Sequence, residues 1–145
     1  MINWRKPVIF SLLYLTRSKI PKNLKEIETI HKYSEAKVKK YQDEKLKKLL
    51  LHAYNNVPYY RRILPEAGVI KDGKVILKNF DKIPILTKEI IRKEGKNLYS
   101  KDYKKRKPYF NTSGGSTGEP VKFIQDKGYY DWNIANKIWY KKIAG

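Results

Sequence analysis

The sequence contains no cysteine and only two histidines, His31 and His52, among its 145 residues. The lack of cysteine excludes a disulfide scaffold, a thiolate metal site and a cysteine nucleophile. Two histidines cannot complete a zinc site without help from carboxylates, and a serine hydrolase would have to take its base from this pair. These absences argue against several classes of enzyme.

Arginine is also scarce: six of the 33 basic residues are arginine and the other 27 are lysine, against 14 acidic residues. Proteins that read a nucleic-acid sequence depend on the bidentate arginine fork. The composition therefore favours lysines on solvated helix faces over a specific nucleic-acid site. A net charge of +19 still attracts polyanions without sequence preference.

A long apolar run is missing as well, because the run Val8–Leu15 has only eight residues. A helix that spans a membrane needs roughly 20, and no small-residue cleavage site follows the run, so no signal peptide is predicted. We expect residues 1–33 to form an N-terminal helical, apolar segment that packs on the rest of a cytoplasmic protein without a membrane span. A weak interfacial anchor is the alternative.

The first hundred residues are predicted to form short helices separated by proline turns. Ser34–Asn55 has apolar residues at three- and four-residue spacings, which predicts a helix. Pro58 is expected to start a short second helix. Thr87 is the expected N-cap of a third helix that ends at Gly95. The segment Lys71–Lys74 is predicted to be a loop.

Near the C-terminus the pattern changes to alternation, and Lys107–Thr112 and Val121–Gln125 are predicted to be strands. Asp126 is the expected N-cap of a final helix. The predicted fold class is α/β, with an α+β arrangement in this part of the chain. Helices come first, then a β-hairpin that carries a glycine-rich loop, and then a C-terminal helix.

The loop between these strands is Thr112–Pro120, with the sequence Thr-Ser-Gly-Gly-Ser-Thr-Gly-Glu-Pro. Its glycines allow backbone conformations that point several N–H groups at one spot, and its hydroxyls add donors. Such a loop can bind the oxygens of a polyphosphate. It is not a Walker P-loop, because it lacks the Gly-Lys-Ser/Thr ending and joins two strands. By composition alone, a flexible Ser/Gly-rich turn is the alternative.

The order of residues in Thr112–Pro120 resembles the phosphate-binding signature of adenylate-forming enzymes. Two upstream segments, Leu50–Arg61 and Phe80–Lys88, are similar to segments of the phenylacetate–coenzyme A ligase branch of that superfamily. The lysine-rich N-terminal helix and the stretch Asn111–Pro120 resemble the capsular-polysaccharide-biosynthesis subgroup more than true phenylacetate ligases. The resemblance covers roughly residues 34–145.

The resemblance implies a reaction in which a small carboxylic acid attacks the α-phosphate of ATP. The products would be an acyl-adenylate and pyrophosphate, and a thiol or other nucleophile would then take the acyl group. ATP and Mg²⁺ are the implied cofactors, and coenzyme A is a further candidate. The implied phosphate-binding residues are Thr112, Ser113, Gly114, Gly115, Ser116, Thr117 and Gly118. No catalytic residue and no metal ligand are assigned in this chain.

The sequence also departs from the pattern of these enzymes. Glu119 stands where many relatives have lysine, and Lys122 is a candidate to restore positive charge. The aromatic-Thr-Glu motif, the ribose-binding aspartate and the catalytic lysine of such enzymes are absent. We therefore expect residues 34–145 to be an incomplete N-terminal portion of an AMP-forming ligase domain. Without the remainder of the enzyme chain, these residues are not expected to turn over substrate.

Two other functions stay open on the sequence alone. A small basic nucleic-acid or polyanion-binding module would use the lysines and the 12 tyrosines for backbone contacts and stacking. Attachment to a membrane surface would use Trp4 and Val8–Leu15. Neither function requires the residue order of Thr112–Pro120.

His52 and the nearby tyrosines Tyr54, Tyr59 and Tyr60 also invite a functional interpretation. A lone histidine on a helix end more often packs or caps than acts as a base, and a tyrosine cluster more often belongs to a core. We expect those structural roles for all four. No role is expected for His31.

Overall fold

The computed structural model describes residues 8, 11–13, 15–113 and 120–145, which combine helices with short antiparallel sheets. The helices after residue 19 are α1 (Ile20–Ile30), α2 (Glu35–Asn56), α3 (Pro58–Glu66), α4 (Lys88–Glu94) and α5 (Lys127–Ile143). The strands in the described parts are β1 (Ile70–Lys71), β2 (Lys74–Val75), β3 (Pro108–Thr112) and β4 (Lys122–Asp126). Short 3₁₀ helices occupy Leu77–Lys82, Gly95–Leu98 and Tyr103–Arg106. This mixture agrees with the predicted α+β arrangement.

Helices α2 and α3 form a pair around the predicted break at Val57-Pro58. Val57 has an extended backbone, and Pro58 occupies the first turn of α3, where its missing N–H costs no hydrogen bond. One core cluster lies between this pair and the chain that follows it; its buried members are Leu50, Leu64, Val69 and Ile70. The helix predicted over Ser34–Asn55 is confirmed, with Ser34 as its N-cap residue.

The segment Lys71–Lys74 is not simply a loop, and that prediction was wrong. Ile70 pairs with Val75 and Lys71 pairs with Lys74 in a small antiparallel hairpin. The two residues between them, Asp72 and Gly73, both have positive φ, 51° and 72°. A turn with two positive φ angles matches the right-handed twist of paired strands, and Asp-Gly is a preferred sequence for it.

Two helix N-caps that the sequence predicted are confirmed by their hydrogen bonds. The Thr87 hydroxyl oxygen accepts from the backbone N–H of Ile90 at 3.3 Å, at the start of α4. Asp126 Oδ1 accepts from the backbone N–H of Tyr129 at 2.8 Å, at the start of α5. Each bond satisfies an N–H group that has no partner within its own helix. Gly95, with φ 50°, ends α4 as expected.

Helix α1 packs against α5, so the two ends of the described chain lie side by side. The buried residues at this contact are Ile20, Leu24, Ile27 and Ala135. Leu13 is half-buried against them, whereas Leu12 and Leu15 in the same apolar run are exposed. The described residues of this run are therefore only partly docked.

A buried carboxylate fixes the beginning of α1 on α5. Asp131 is 1% exposed and accepts hydrogen bonds from the Lys19 backbone N–H at 2.9 Å and from the Ser18 hydroxyl at 3.3 Å. Lys127 Nζ lies 3.0 Å from Asp131 Oδ1. Burial by itself would raise the pKa of Asp131, but the bonds from Lys19, Lys127 and Ser18 outweigh burial and lower that pKa.

No helix among the described residues combines the length and the apolar character that crossing a bilayer requires.

Candidate functional site

The predicted strands form an antiparallel β3–β4 hairpin. Its base is the pair Pro108 and Asp126, and its last strand pair at the other end is Thr112 and Lys122. Beyond that pair, the Ser113 backbone N–H donates to the Val121 carbonyl at 3.0 Å. The Val121 N–H in turn donates to Ser113 Oγ at 2.9 Å. We call the end formed by Thr112, Ser113, Val121 and Lys122 the hairpin tip.

Two of the predicted phosphate-binding residues, Thr112 and Ser113, lie in the described part of the hairpin tip. The other five lie outside the described residues: Gly114, Gly115, Ser116, Thr117 and Gly118. Glu119 lies outside them as well. The phosphate-binding role of the loop stays a prediction.

The flanking residues present donors suited to an anion. Thr112 and Lys122 are both exposed and occupy opposite positions in the strand register. The Ser113 oxygen accepts from Val121, which leaves its hydroxyl proton available to a ligand. The Thr112 N–H is not available, because it donates to Asn111 Oδ1 at 2.8 Å. A hydroxyl pair beside an ammonium group fits the oxygens of a phosphate.

The described residues contain no group of three or more His, Cys, Asp or Glu side chains placed to hold a metal ion.

A cavity of about 430 Å³ lies between the end of α2, the segment 86–106 and strand β4, with Pro108 of β3 at its edge. Most of its wall is apolar and includes Leu49, Tyr60, Leu86, Ile91, Leu98 and Phe123. Lys122 lines the cavity near the hairpin tip, whereas Arg106 and Asp126 line it near the hairpin base. The cavity thus extends along the hairpin from one end to the other.

A cluster that we call the polar junction borders this cavity at the hairpin base. Its members are Asn56, His52, Ser100, Asp102, Arg106 and Asp126. Arg106 bridges two carboxylates, with Nε 2.9 Å from Asp102 Oδ2 and Nη1 3.2 Å from Asp126 Oδ2. The Ser100 hydroxyl donates to Asp102. His52 Nε2 lies 3.2 Å from Ser100 Oγ and 3.8 Å from Asp102 Oδ1.

The polar junction perturbs the protonation of its own members. Hydrogen bonds from Ser100 and then from Arg106 lower the pKa of Asp102 to about 2. The bond to Asp102 raises the pKa of Arg106, with a further contribution from Asp126. Both groups are therefore charged at any physiological pH, and the junction is an ion-paired contact between segments distant in sequence.

His52 packs and bonds within this junction, as expected. Of the neighbouring tyrosines, Tyr59 is buried, and its ring meets that of Tyr60 edge-on with centroids 5.0 Å apart. Tyr54 and Tyr60 are half-buried against the Leu50–Leu64 core. The structural roles expected for these side chains are confirmed.

Sequence reasoning did not identify Ser100, Asp102 or Arg106. A signal was present for one pair, because Asp102 and Arg106 have the i, i+4 spacing of a helical ion pair. Their contacts with His52 join residues about fifty positions apart, and no local pattern predicts those. His31 was also given no role, but its Nε2 accepts from the Trp139 indole at 2.6 Å.

Comparison with curated proteins gives two matches, each over the same length of 96 residues, or 66% of this chain. One is a phenylacetate-coenzyme A ligase from Thermus thermophilus at 33% identity. The other is a phenylacetate-coenzyme A ligase from Aromatoleum evansii at 30% identity. The chain is similar to phenylacetate-coenzyme A ligases. Both matches support the resemblance to adenylate-forming ligases that the motifs indicated, and neither bears on the capsular-polysaccharide branch.

The chain spans about a fifth of the length of these phenylacetate-coenzyme A ligases, 21% of one and 22% of the other. No protein-family profile matches the chain, and no solved structure matches it significantly.

Proposed function

We propose that this chain is the N-terminal part of an ATP-dependent ligase that activates a small carboxylic acid as its acyl-adenylate. The observation that carries the proposal is the coincidence of two features. The chain is similar over 96 residues to two phenylacetate-coenzyme A ligases, and a loop with the order of an adenylate-forming signature joins β3 to β4. Neither a nucleic-acid module nor a membrane anchor requires that order.

In the proposed reaction, ATP supplies the activated α-phosphorus and a pyrophosphate leaving group. Negative charge grows on the β- and γ-phosphates as they leave. Preorganised donors lower the barrier because they stabilise this charge without reorientation during the reaction. The chain would provide the hydroxyls of Thr112 and Ser113, the ammonium group of Lys122, and the predicted loop residues 114–118.

The names of the relatives and the cavity wall support a choice of acceptor and of acid. A thiol acceptor of the coenzyme A type suits a protein similar to phenylacetate-coenzyme A ligases, and an apolar acid suits the apolar wall of the cavity beside the hairpin. A role in capsular polysaccharide biosynthesis, in the cytoplasm, is a narrower form of the same proposal. It rests on the motif resemblance alone.

Calorimetric titration of the 145-residue chain with MgATP tests the proposal. We expect measurable binding that weakens about tenfold or more when Thr112→Ala and Lys122→Met are combined, because a charge-assisted hydrogen bond contributes about 1.5–3 kcal/mol. Lys105→Met is the matched control: it removes the same charge from an exposed site away from the hairpin tip, and affinity should change less than twofold.

Equal loss of affinity in the control and in the double variant would contradict a specific site. Binding of single-stranded nucleic acid with a steep salt dependence and no effect of ATP would favour the polyanion-binding alternative instead. A pyrophosphate-exchange assay with several carboxylic acids should show no turnover by the chain alone. Exchange is expected once the chain is extended to the length of its relatives.

A further inference from the structure

The polar junction connects the end of α2 to the segment 100–106 through His52. The Asn56 side-chain amide nitrogen donates to the His52 carbonyl at 3.0 Å and lies 3.2 Å from His52 Nδ1. His52 Nε2 lies 3.2 Å from Ser100 Oγ, and the Ser100 hydroxyl donates to Asp102. We call this His52–Ser100–Asp102 series of contacts the relay.

Arg106 links this relay to the hairpin. It bonds to Asp102 within the relay and to Asp126 at the last position of β4, and its third nitrogen, Nη2, lies 3.4 Å from His52 Nε2. Asp126 accepts from Arg106 through Oδ2 and caps α5 through Oδ1. One guanidinium group therefore connects α2, the segment 100–106, the hairpin base and the start of α5.

Strand β3 contributes little burial to the hairpin, whereas the residues of β4 after Lys122 are half-buried. All five residues of β3 are exposed, and within the described part of the chain β3 pairs only with β4. The hairpin tip is four residues from its base, a distance of about 13 Å at the usual rise of a strand. A small rotation at the base therefore produces a larger displacement of Thr112 and Lys122 at the tip.

We propose that Arg106 is a positioning residue: its bridge between Asp102 and Asp126 sets the angle of the β3–β4 hairpin on the helical part of the chain. The segment His52–Asn56 then contributes to the position of the hairpin tip, because the contacts of His52 with Ser100 and Asp102 support Arg106. The effect of this bridge on nucleotide binding rests on the proposed function. Its effect on the orientation of the hairpin does not rest on that function.

Residual dipolar couplings of backbone amides test the orientation directly. In Arg106→Met and in Asp126→Asn, we expect the β3–β4 couplings to stop fitting the wild-type orientation relative to α2. Asparagine keeps the N-cap of α5, so the second variant removes the bridge without removing the cap. Lys105→Met, in the same 3₁₀ turn, should leave the couplings unchanged. Couplings in Arg106→Met equal to those of the wild type would overturn the proposal.

Binding of inorganic tripolyphosphate with Mg²⁺ gives a functional readout. The direction in which Asp126→Asn changes the affinity is decisive. If Arg106 acts by position, both Arg106→Met and Asp126→Asn weaken binding about five- to tenfold. If it acts by long-range charge alone, Arg106→Met weakens binding to the same extent as Lys105→Met, and Asp126→Asn strengthens it. That second pattern would overturn the proposal.

The two experiments, dipolar couplings and tripolyphosphate binding, separate the failure of this inference from the failure of the proposed function. If the wild-type chain does not bind tripolyphosphate, the proposed function is contradicted and the dipolar couplings alone decide the role of Arg106. The ¹⁵N shifts of the His52 ring provide a spectroscopic check, because Arg106 Nη2 lies 3.4 Å from His52 Nε2: the shifts should move in Arg106→Met but not in Lys105→Met.

Discussion

Trp139 donates its indole N–H to Nε2 of His31 at 2.6 Å, across the contact between α5 and the end of α1. The two rings are also close, with centroids 4.7 Å apart. Lys142 and Glu28 form an ion pair at 2.7 Å beside them. The outer end of the α1–α5 contact is therefore polar and specific, whereas its inner part is apolar.

Trp139→Phe should destabilise the chain by about 0.5–1 kcal/mol, because it removes the donor to His31 from a solvent-exposed site but keeps an aromatic ring. Urea unfolding at neutral pH measures the difference. Tyr140→Phe, on the exposed side of the same helix, should change stability by less than about 0.5 kcal/mol. A Trp139→Phe variant as stable as the wild type would show that the bond is replaced by water.

Leu24→Ala should destabilise the chain by about 2–5 kcal/mol, because Leu24 is 6% exposed in the α1–α5 core and its truncation leaves a cavity. Thermal unfolding followed by circular dichroism gives the effect. Leu15→Ala serves as the control, since Leu15 is 80% exposed. If both variants had the same Tm as the wild type, α1 would not be docked on α5 in solution.

Asp131→Asn should cost about 1–3 kcal/mol at neutral pH, because it weakens the bonds that hold Lys19 and Lys127 to a buried carboxylate. The pKa of Asp131 is lowered by folding. Its ionised form therefore stabilises the fold above the unfolded-state value of about 3.8, and this stabilisation disappears as pH falls through the folded-state value.

The difference in unfolding free energy between the wild type and Asp131→Asn should accordingly be largest at neutral pH. It should shrink as the pH falls below the unfolded-state pKa of about 3.8. Asp43→Asn, which breaks an exposed pair with Lys39, should have little effect at either pH. A difference for Asp131→Asn that did not depend on pH would contradict the lowered pKa.

Thr87→Ala should destabilise α4 by about 1 kcal/mol, because the N–H of Ile90 loses its acceptor at the helix start. Amide hydrogen exchange of Ile90 and Ile91 reports the effect locally. Thr87→Ser keeps the hydroxyl and should behave as the wild type. Equal exchange rates in all three proteins would mean that the cap does not contribute in solution.

Local signals were enough to predict much of the helical part. The spacing of Val38, Tyr41, Leu46 and Leu49 indicated α2, and the single residues Thr87 and Asp126 located the starts of α4 and α5. These features depend on the backbone within one or two turns of a helix, so a sequence pattern can report them. The β1–β2 hairpin was also local, and attention to Asp72-Gly73 between apolar pairs would have found it.

The tertiary contacts could not be predicted in the same way. Asp131 and Lys19 are more than a hundred residues apart, and so are Trp139 and His31. The polar junction likewise depends on the packing of α2 against the segment 100–106. For the candidate site, the sequence predicted the hairpin and its tip, whereas Arg106 and its bridge required the structure. The domain boundary predicted near residue 33 and the phosphate role of Thr112 and Ser113 stay predictions.

The exposed strand β3 has a consequence for the behaviour of this chain in concentrated solution. Phe110 is 71% exposed, and the outward backbone groups of a two-stranded hairpin can pair with the same strand of another molecule. The basic cluster 104–107 stands immediately before that strand, so mutual repulsion between copies opposes such pairing at low ionic strength. Added salt should therefore promote self-association of this protein, and the lysines beside β3 would be what keeps it dispersed.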